Sequence, residues 1–481
     1  MQENSENVRK NLILITIDCL RYDIFSNLLR HNLLPNIASI TQKGLFFTRA
    51  YAVSSWTPPS VVSLLTSSYP FMYGGYLNFS PRIPFPKILA RHDYITISCQ
   101  TNAWLTRYFN FHKGFTVFVD DFSKPINKRR KNNQNIRNIL KRISFLRLLR
   151  HKLRAAPYDF LIDMFEISFL GKEINAYLTA EELNKGALSL LERTIQKFRN
   201  KKPIFFWIHY MDAHEPFSPL YEGLWDKVLA LKIFKKISRK ISLSEKELDF
   251  IKERYIKSIL RIDKAIGDLI EELTRFDITF ENTIFVITSD HGQEFFEHGI
   301  FGHGEHLYEE LIHVPLIITC PETKARKVNE PVSLIDLAPT LLSLLGIIDR
   351  PANYKGLDLS EAIFNNRPFS EKRIIISEDT MRGNINARKH RRRIIRFDEK
   401  CRRIACIYDT WKYILNPDNS EELYNLKKDP MERENLAEEE QSIKKMLRKK
   451  ILEHIEMEKK THHLQRLYLR ILQMKRQSKS W

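Results

Sequence analysis

Five apolar runs of strand length recur over residues 11–319, and segments of helical periodicity separate each run from the next. The first, Asn11–Asp18, is a continuous β-branched and leucine-rich run that ends on a carboxylate. Such runs are typical of parallel strands that are buried on both faces of a sheet. The others are Tyr94–Ser98, Pro203–His209, Thr283–Asp290 and Val314–Thr319. The alternation predicts an α/β domain with a mostly parallel sheet flanked by helices, which binds ligands beyond the carboxyl ends of its strands.

The pattern changes after about residue 345. Short strand-like pieces with turn residues between them predict a smaller antiparallel α+β subdomain. These pieces are Arg373–Ser377, Ile394–Phe397, Ile404–Tyr408 and Trp411–Leu415. From about residue 438, apolar residues at helical spacing predict an amphipathic helix or a pair of helices. We therefore expect an α/β domain over 8–345 with a basic helical insertion at about 124–160, a subdomain over 346–437 and a helical tail over 438–481.

Charge is concentrated in two segments of a chain that is otherwise neutral. The 481 residues are 43% apolar, enough for a sizeable core, and carry a net charge of +19. Residues 124–154 contribute +12 and residues 386–403 contribute +7, which together account for the whole excess. The partner of these two tracts is therefore expected to be an anionic surface, polymer or substrate. Nucleic acid is a poor candidate, because no recognition motif accompanies the charge.

The first tract also has a helical pattern, with apolar residues at helical spacing over 136–153 and basic residues between them. A basic amphipathic helix can lie on anionic lipid, or it can dock on its own domain, and the sequence leaves both open. The chain has no apolar run long enough to span a membrane, and it starts with polar and acidic residues. Five scattered cysteines are typical of reduced thiols. We expect a cytoplasmic protein, with peripheral contact at the inner membrane face left open.

Candidate chemistry lies just after the predicted strands and at one predicted helix start. Thr57 before Pro58 predicts an N-cap, whose hydroxyl lies at the positive end of a helix, where a phosphate or sulfate ester could bind. For an isolated Thr-Pro pair, a plain cap is the commoner explanation. Asp290 and His291 offer oxygen and nitrogen ligands for a divalent cation. Two histidine-bearing segments accompany them, at 209–216 and 298–306.

Together these segments resemble the sulfatase branch of the alkaline phosphatase superfamily, over most of residues 10–437. Five stretches in the expected order carry the resemblance: Ile17–Asp23, Thr57–Ser60, His209–Pro216, Thr288–Gly292 and Leu307–Glu310. The segments Ile335–Leu342 and Glu422–Leu426 also agree. An ordered set of this kind is far more specific than any one of its members.

The resemblance implies a metal-centred site. Asp18, Asp290 and His291 would ligate one divalent ion, Ca, Mg, Mn or Zn, while a second metal stays open. Thr57 would occupy the nucleophile position, where a neighbouring metal lowers the pKa of the hydroxyl. The resemblance further implies His214 and His303 as catalytic contacts to the transferring group, and Asn102, His209 and Arg21 as substrate contacts.

Three departures from the family pattern bear on the reaction. Sulfatases proper convert a Cys or Ser at the nucleophile position to formylglycine, which Thr57 cannot form because its β-carbon is secondary. Val61 occupies the place of the motif arginine, and Cys19 stands where many sulfatases have a second metal-binding Asp. We therefore expect no formylglycine. Thr in this role is familiar from relatives that act on phosphorus, namely nucleotide pyrophosphatase-like phosphodiesterases and phosphoethanolamine or phosphoglycerol transferases.

Our first hypothesis is a sulfatase-family, metal-dependent hydrolase of sulfate or phosphate esters, in which phosphodiester cleavage through Thr57 is favoured. Asp212 and His214 are two positions apart rather than the four of two-metal diesterases, which favours a single tightly bound metal. The alternatives are a transferase acting on lipid-linked or glycan substrates and a catalytically inactive binding homologue. Such transferases usually carry membrane helices, and an inactive site has no physical reason to keep so many polar groups together.

Overall fold

A computed structural model describes residues 9–73, 82–120, 177–198, 202–217, 224–365, 372–380 and 401–477. Its helices are α1 Tyr22–Arg30, α2 Pro35–Thr41, α3 Thr57–Thr66, α4 Phe85–Arg91, α5 Ala180–Phe198, α6 Leu224–Ser238, α7 Glu245–Leu273, α8 Glu309–Ile312, α9 Leu337–Leu344, α10 Ser360–Asn365 and α11 Gln441–Gln477. Its strands are β1 Asn11–Ile17, β2 Leu45–Tyr51, β3 Ile95–Gln100, β4 Val117–Val119, β5 Ile204–Tyr210, β6 Thr283–Ser289, β7 Glu294–Phe295, β8 Phe301–Gly302, β9 His313–Thr319, β10 Arg326–Val328, β11 Val332–Ser333, β12 Ile374–Thr380, β13 Arg402–Tyr408, β14 Trp411–Leu415 and β15 Glu421–Asn425.

The large sheet has the strand order β10-β2-β9-β6-β1-β5-β3-β4, with β11 beside β2. Strand β1 lies at its centre and pairs in parallel with β5 and β6. Leu12 and Leu14 pack in one apolar cluster and Ile13 and Ile15 in another, so both faces of β1 are covered. This explains the continuous apolar run. The predicted mostly parallel sheet flanked by helices is confirmed, and all five predicted strands are present.

Strand β2 was not predicted. It contains the half-buried Thr48 and Arg49, and its pairing register with β9 shifts between Phe47 and Ala50. These polar residues interrupt the apolar run and the bulge breaks the alternation, so neither sequence signal of a strand is present. Strand β9 runs antiparallel to both β2 and β6, a direction that the sequence pattern does not encode.

The predicted antiparallel C-terminal sheet is confirmed by β12-β13-β14-β15. Three of the four predicted pieces correspond to β12, β13 and β14, whereas Ile394–Phe397 lies outside the described residues. The predicted tail is one helix, α11, which packs Leu447 and Ile451 against this sheet. Residues 124–154 and 386–400 also lie outside the described residues, and the domain boundaries stay predictions. None of the described helices has the length and apolarity of a membrane span.

Strand β12 also binds the segment that leads into α3. The Glu378 backbone N–H donates to the carbonyl of Val53 at 2.7 Å, and Ser377 Oγ donates to the carbonyl of Ala52 at 2.6 Å. The C-terminal sheet is therefore attached to the loop just before Thr57, at the edge of the candidate site.

Candidate active site

The candidate site lies at the carboxyl ends of the three central strands. Ile17, the last residue of β1, pairs with Tyr210 of β5 and with Ser289 of β6. Because the three strands end side by side, Asp18 and Asp290 follow neighbouring strands and lie close together. Both carboxylates are fully buried.

Thr57 contacts this pair of strand ends through its hydroxyl. Its Oγ1 lies 3.2 Å from Asp18 Oδ2 and 3.2 Å from His291 Nε2. The predicted role of Thr57 as N-cap is wrong: α3 begins at Thr57 and its N-cap is the extended Trp56, with no side-chain cap. The reason is that the Thr57 hydroxyl points to Asp18 and His291 rather than to the N–H groups of its own helix.

Asp18 is the centre of the hydrogen-bonding network. Asn102 Nδ2 donates to Asp18 Oδ2 at 2.8 Å, and His209 Nε2 lies 3.3 Å from the same oxygen. Burial alone would raise the pKa of Asp18, but the charges of His214 and His291 and the hydrogen bond from His209 hold it well below its ordinary value. Asp18 is therefore held as a carboxylate.

The two predicted substrate contacts Asn102 and His209 are thus engaged with protein groups. His209 also uses Nδ1, at 2.7 Å from Thr16 Oγ1, so both of its ring nitrogens contact the protein. Asn102 Oδ1 accepts a hydrogen bond from the Trp104 N–H at 2.9 Å. Both residues lie next to Asp18, where their contacts orient its carboxylate.

The donor set of Asp18, Asp290 and His291 fits a divalent cation. Asp290 Oδ2 is buried and has no hydrogen-bond partner among the described residues. His291 Nδ1 lies 2.8 Å from the carbonyl of Gly292, which fixes Nδ1 as the donor and leaves the Nε2 lone pair directed to Asp18 Oδ1 at 3.4 Å and Asp290 Oδ2 at 3.6 Å.

The electrostatics of Asp18 and Asp290 also favour a bound cation. Burial raises the pKa of Asp290 well above its ordinary value, and the charge of Asp18 raises it further. Within the part of the chain that the structure describes, no Lys or Arg side chain forms an ion pair with either carboxylate. Two adjacent buried carboxylates without a cationic side chain are the usual setting of a metal ion.

The predicted catalytic histidines lie beside this cluster. The ring of His303 is 4.6 Å from that of His291 and 5.0 Å from that of His214, measured between centroids. His303 Nδ1 contacts Gln293 Oε1 at 3.0 Å, and His214 Nδ1 contacts the carbonyl of Glu215 at 2.6 Å. The structure thus brings His214 and His303 together with the Thr57 cluster.

Arg21, predicted as a substrate contact, lies apart from these groups. Its guanidinium donates to Asp23 and Glu297, at 2.7 Å each, and to the carbonyl of Gln293 at 3.0 Å. Among the described residues it has no hydrogen bond to Thr57 or Asp18. Gln293 connects it to the cluster, because the carbonyl of Gln293 accepts from Arg21 and its side chain contacts His303.

Two further residues position Thr57 and were not assigned from the sequence. Asp379 on β12 accepts hydrogen bonds from Trp56 Nε1 at 2.9 Å and from the Ser55 N–H at 3.2 Å. Ser60 Oγ donates to the carbonyl of Asp290 at 2.5 Å, which joins α3 to the strand end that bears the candidate metal ligand Asp290. Ser60 lies within the Thr57–Ser60 motif, whereas Asp379 has no local sequence signal.

The family model described as Sulfatase matches residues 10–347. The chain belongs to the sulfatase family. A second family model, described as the C-terminal region of N-sulphoglucosamine sulphohydrolase, matches residues 296–459. The family predicted from the motifs is therefore confirmed, and the second match includes the described strands of the C-terminal sheet.

Individual sulfatases and related structures are similar over parts or all of the chain. An uncharacterized sulfatase, YidJ, of Escherichia coli is 31% identical over 37% of this chain and 32% of its own length. Arylsulfatase K of Mus musculus is 33% identical over 41% of this chain and 34% of its own length. The chain spans about a third of the length of these curated relatives. The crystal structure of a phosphonate monoester hydrolase of Agrobacterium radiobacter superposes with a TM-score of 0.68, covering 94% of this chain and 96% of that one at 18% identity, which shows the shared fold.

Proposed function

We propose that this sulfatase-family protein is a metal-dependent hydrolase of sulfate or phosphate esters, and that it cleaves phosphodiesters with Thr57 as the nucleophile. The observation that carries the proposal is the position of Thr57 Oγ1, which lies 3.2 Å from both Asp18 Oδ2 and His291 Nε2. A hydroxyl in that position is next to the ligands of the expected cation. It is also at the first residue of a helix, where N–H groups can receive an anionic ester.

The chemistry divides between the cation and the side chains. A divalent ion held by Asp18, Asp290 and His291 would lower the pKa of the Thr57 hydroxyl and offset charge on the ester. The Thr57 hydroxyl then gives its proton to water, its oxygen forms a bond to phosphorus, the bond from phosphorus to the departing alcohol oxygen breaks, and that oxygen takes a proton from water. In the second step, a water oxygen bonds to phosphorus, the bond from phosphorus to Thr57 Oγ1 breaks, and Thr57 takes up the proton that the attacking water loses, which releases the phosphomonoester.

We assign the histidines beside the cluster to the ester. His214 and His303 would contact the oxygens of the transferring group, directly or through a second cation. Asn102 and His209 would keep Asp18 oriented during the reaction, since both contact its Oδ2. Fixed donors of this kind stabilise charge that develops in the transition state.

Two residues favour phosphorus over sulfur as the reacting centre. Thr57 cannot be converted to the aldehyde that a formylglycine sulfatase requires. Val61, in the place of the motif arginine, is 1% exposed and belongs to an apolar cluster, so it offers no contact to a sulfate group. The Agrobacterium radiobacter neighbour, by its printed name, acts on phosphonate monoesters, which is compatible with phosphorus chemistry on this fold. Sulfate ester hydrolysis is the second candidate, supported by the names of the curated relatives.

A comparison of three substrates tests the proposal. Purified protein is stripped of metal, resupplied separately with Mn²⁺, Zn²⁺, Mg²⁺ or Ca²⁺, and assayed on an aryl sulfate, an aryl phosphate and a bis-aryl phosphate. We expect metal-dependent cleavage of the diester that is lost in Thr57→Ala and in Asp290→Ala. Robust cleavage of the aryl sulfate would overturn the phosphorus assignment. Absence of activity on every ester would favour an inactive binding protein.

A further inference from the structure

Four potential metal ligands cluster near the turn that follows β1. Cys19, His214, Glu215 and His303 each offer one sulfur, nitrogen or oxygen atom, and these four atoms all lie within 4.8 Å of one another. They come from three separate places: the turn after β1, the segment after β5 and the loop after β8. Neither Cys19 nor Glu215 was a predicted ligand.

The spacing of these atoms suits a single small cation. Cys19 Sγ lies 3.6 Å from His303 Nδ1, which lies 3.8 Å from Glu215 Oε2. His214 Nδ1 donates to the carbonyl of Glu215 at 2.6 Å, which leaves Nε2 as the ring nitrogen of His214 that could bind a cation. Ligands bound at about 2.0–2.3 Å around a tetrahedral zinc ion are roughly 3.3–3.8 Å apart. Gln293 Oε1 also lies 3.0 Å from His303 Nδ1, a contact that cation binding would replace.

The charges around the cluster require compensation. Glu215 Oε2 is a buried atom without a hydrogen-bond partner among the described residues, and Cys19 is fully buried with its thiol 3.1 Å from Asp18 Oδ1. Asp18, Asp290 and Glu215 thus place three carboxylates around one thiol. In the described ranges, none of the three forms an ion pair with Lys or Arg, and their ion pairs are with histidines. With one cation at Asp18 and Asp290, Glu215 would have only His214 and His303 as charged neighbours within ion-pair distance among the described residues.

The backbone holds Cys19 in an uncommon conformation. Its φ is 63°, in the left-handed region that few residues other than glycine adopt. The fully buried Tyr255 stabilises it by donating its hydroxyl hydrogen to the carbonyl of Cys19 at 2.8 Å. Such conformations persist where the surrounding structure fixes them, and they concentrate at functional sites.

We propose that Cys19, His214, Glu215 and His303 form a second cation site, which takes Zn²⁺ or a similar thiolate-binding divalent ion. A thiolate with two imidazoles and a carboxylate favours such ions, whereas the neighbouring set of Asp18, Asp290 and His291 is richer in oxygen and accepts harder ions. Binding of this ion is independent of the reaction. Only its role, in which it would hold an ester oxygen beside Thr57, rests on the proposed function.

Cobalt substitution tests the site without relying on activity. The full-length protein is stripped of metal and titrated with Co²⁺, and the near-ultraviolet absorption that marks cobalt–thiolate bonds is recorded. We expect this absorption in the wild-type protein. It should be lost in Cys19→Ser, with one fewer Co²⁺ bound per chain. Cys99→Ser is the matched control, because Cys99 is equally buried on β3, and it should keep the absorption. Persistence of the cobalt–thiolate absorption in Cys19→Ser would overturn the proposal.

Two further measurements keep the test independent of folding and of hydrolysis. X-ray absorption by the zinc-loaded wild-type protein should show a sulfur neighbour at about 2.3 Å, and a shell of nitrogen and oxygen alone would contradict the site. Asp290→Asn should lose hydrolysis yet keep the cobalt–thiolate absorption, because Asp290 is not one of the four ligands. A wild-type protein that hydrolyses no ester but shows the cobalt–thiolate absorption would contradict the proposed function and still support the second cation site.

Discussion

At the scale of single residues, the side chain at position 57 decides which chemistry the site can perform. A threonine offers a secondary hydroxyl that remains a hydroxyl, and its oxygen already lies among Asp18 and His291. The reaction that we propose is direct attack by that oxygen, which would hold the transferred phosphoryl group on Thr57 as an ester. The residue is buried, at 3% exposure, so a substrate must bring its reacting atom to the start of α3.

Substitutions at Thr57 should separate the hydroxyl from the shape of the side chain. Thr57→Val keeps the volume and removes the oxygen, so we expect diester hydrolysis to fall by at least about a thousandfold, as is usual when a nucleophile is removed. Thr57→Ser keeps an oxygen and should retain measurable activity. Mass spectrometry of acid-quenched reactions should find phosphate on position 57 in the wild-type and Ser proteins. Full activity of Thr57→Val would exclude Thr57 as the nucleophile.

At the scale of elements, the turn between β2 and α3 depends on β12. Asp379 accepts hydrogen bonds from Ser55 and Trp56, the two residues just before Thr57. The carboxylate therefore fixes the backbone direction in which α3 begins, and with it the position of the Thr57 oxygen. Small displacements of a nucleophile can lower its rate by about a hundredfold.

Asp379→Asn should misplace Thr57 without removing any metal ligand. We expect kcat for diester hydrolysis to fall by about ten- to a hundredfold while the bound metal per chain is unchanged, because Asp18, Asp290 and His291 are intact. Asp418→Asn, at the exposed end of the β14–β15 hairpin, is the control and should behave as wild type. A fall in metal content together with kcat would show that Asp379 supports the whole site rather than the turn.

Those parts of the fold and the site that depend on neighbouring residues can be predicted from the sequence. Apolar runs predict the five core strands. Asp18 and Asp290 are predicted as site residues because they stand at the ends of two of those runs. Asp379 could not be found in this way, since its role depends on contacts with residues more than 300 positions earlier. Strand β2 was missed because a bulge disrupts its alternation. Arg21 has the charge expected of a substrate contact, but its ion pairs with Asp23 and Glu297 become visible only in the folded chain.

At the scale of the whole molecule, buried charges join the two sheets. Lys412 on β14 is fully buried and pairs with Glu432 at 2.9 Å and with Glu309 on α8 at 3.3 Å. His298, from the loop between β7 and β8, donates to Glu310 at 2.7 Å and contacts the carbonyl of Glu432 at 3.2 Å. The large sheet and the C-terminal sheet should therefore unfold together.

Removing the Lys412 charge should weaken the whole protein. Lys412→Met leaves the carboxylates of Glu309 and Glu432 buried without their cation, which is expected to cost about 3–5 kcal/mol in the free energy of unfolding. Lys428→Met, at an exposed position nearby, should change that free energy by less than about 0.5 kcal/mol. Urea unfolding followed by circular dichroism measures both. Equal stability of the two variants would show that Lys412 does not contribute to joining the sheets.

Stability should also fall in mildly alkaline solution. Burial would lower the pKa of His298, but the hydrogen bond and charge of Glu310 outweigh it and raise the pKa to about 9 from the ordinary 6.5. Folding therefore favours the protonated ring, and its contribution is complete below pH 6.5 and is lost as the pH rises through about 9. We expect a loss of about 1–2 kcal/mol over this range, measured by urea unfolding. His298→Gln should flatten the profile, and an unchanged profile would assign the loss to another group.

The attachment of Thr57 to β12 has a consequence for how the protein is made. A ribosome releases the segment that bears Thr57 long before it reaches Asp379, which is 323 positions beyond Trp56. Throughout that interval Thr57 has the preceding strand β2 and the helix α3, but it lacks the Asp379 carboxylate that fixes the direction in which α3 begins. The protein should therefore gain the proposed activity only after β12 has left the ribosome, although Asp18, Asp290 and His291 are synthesised before it.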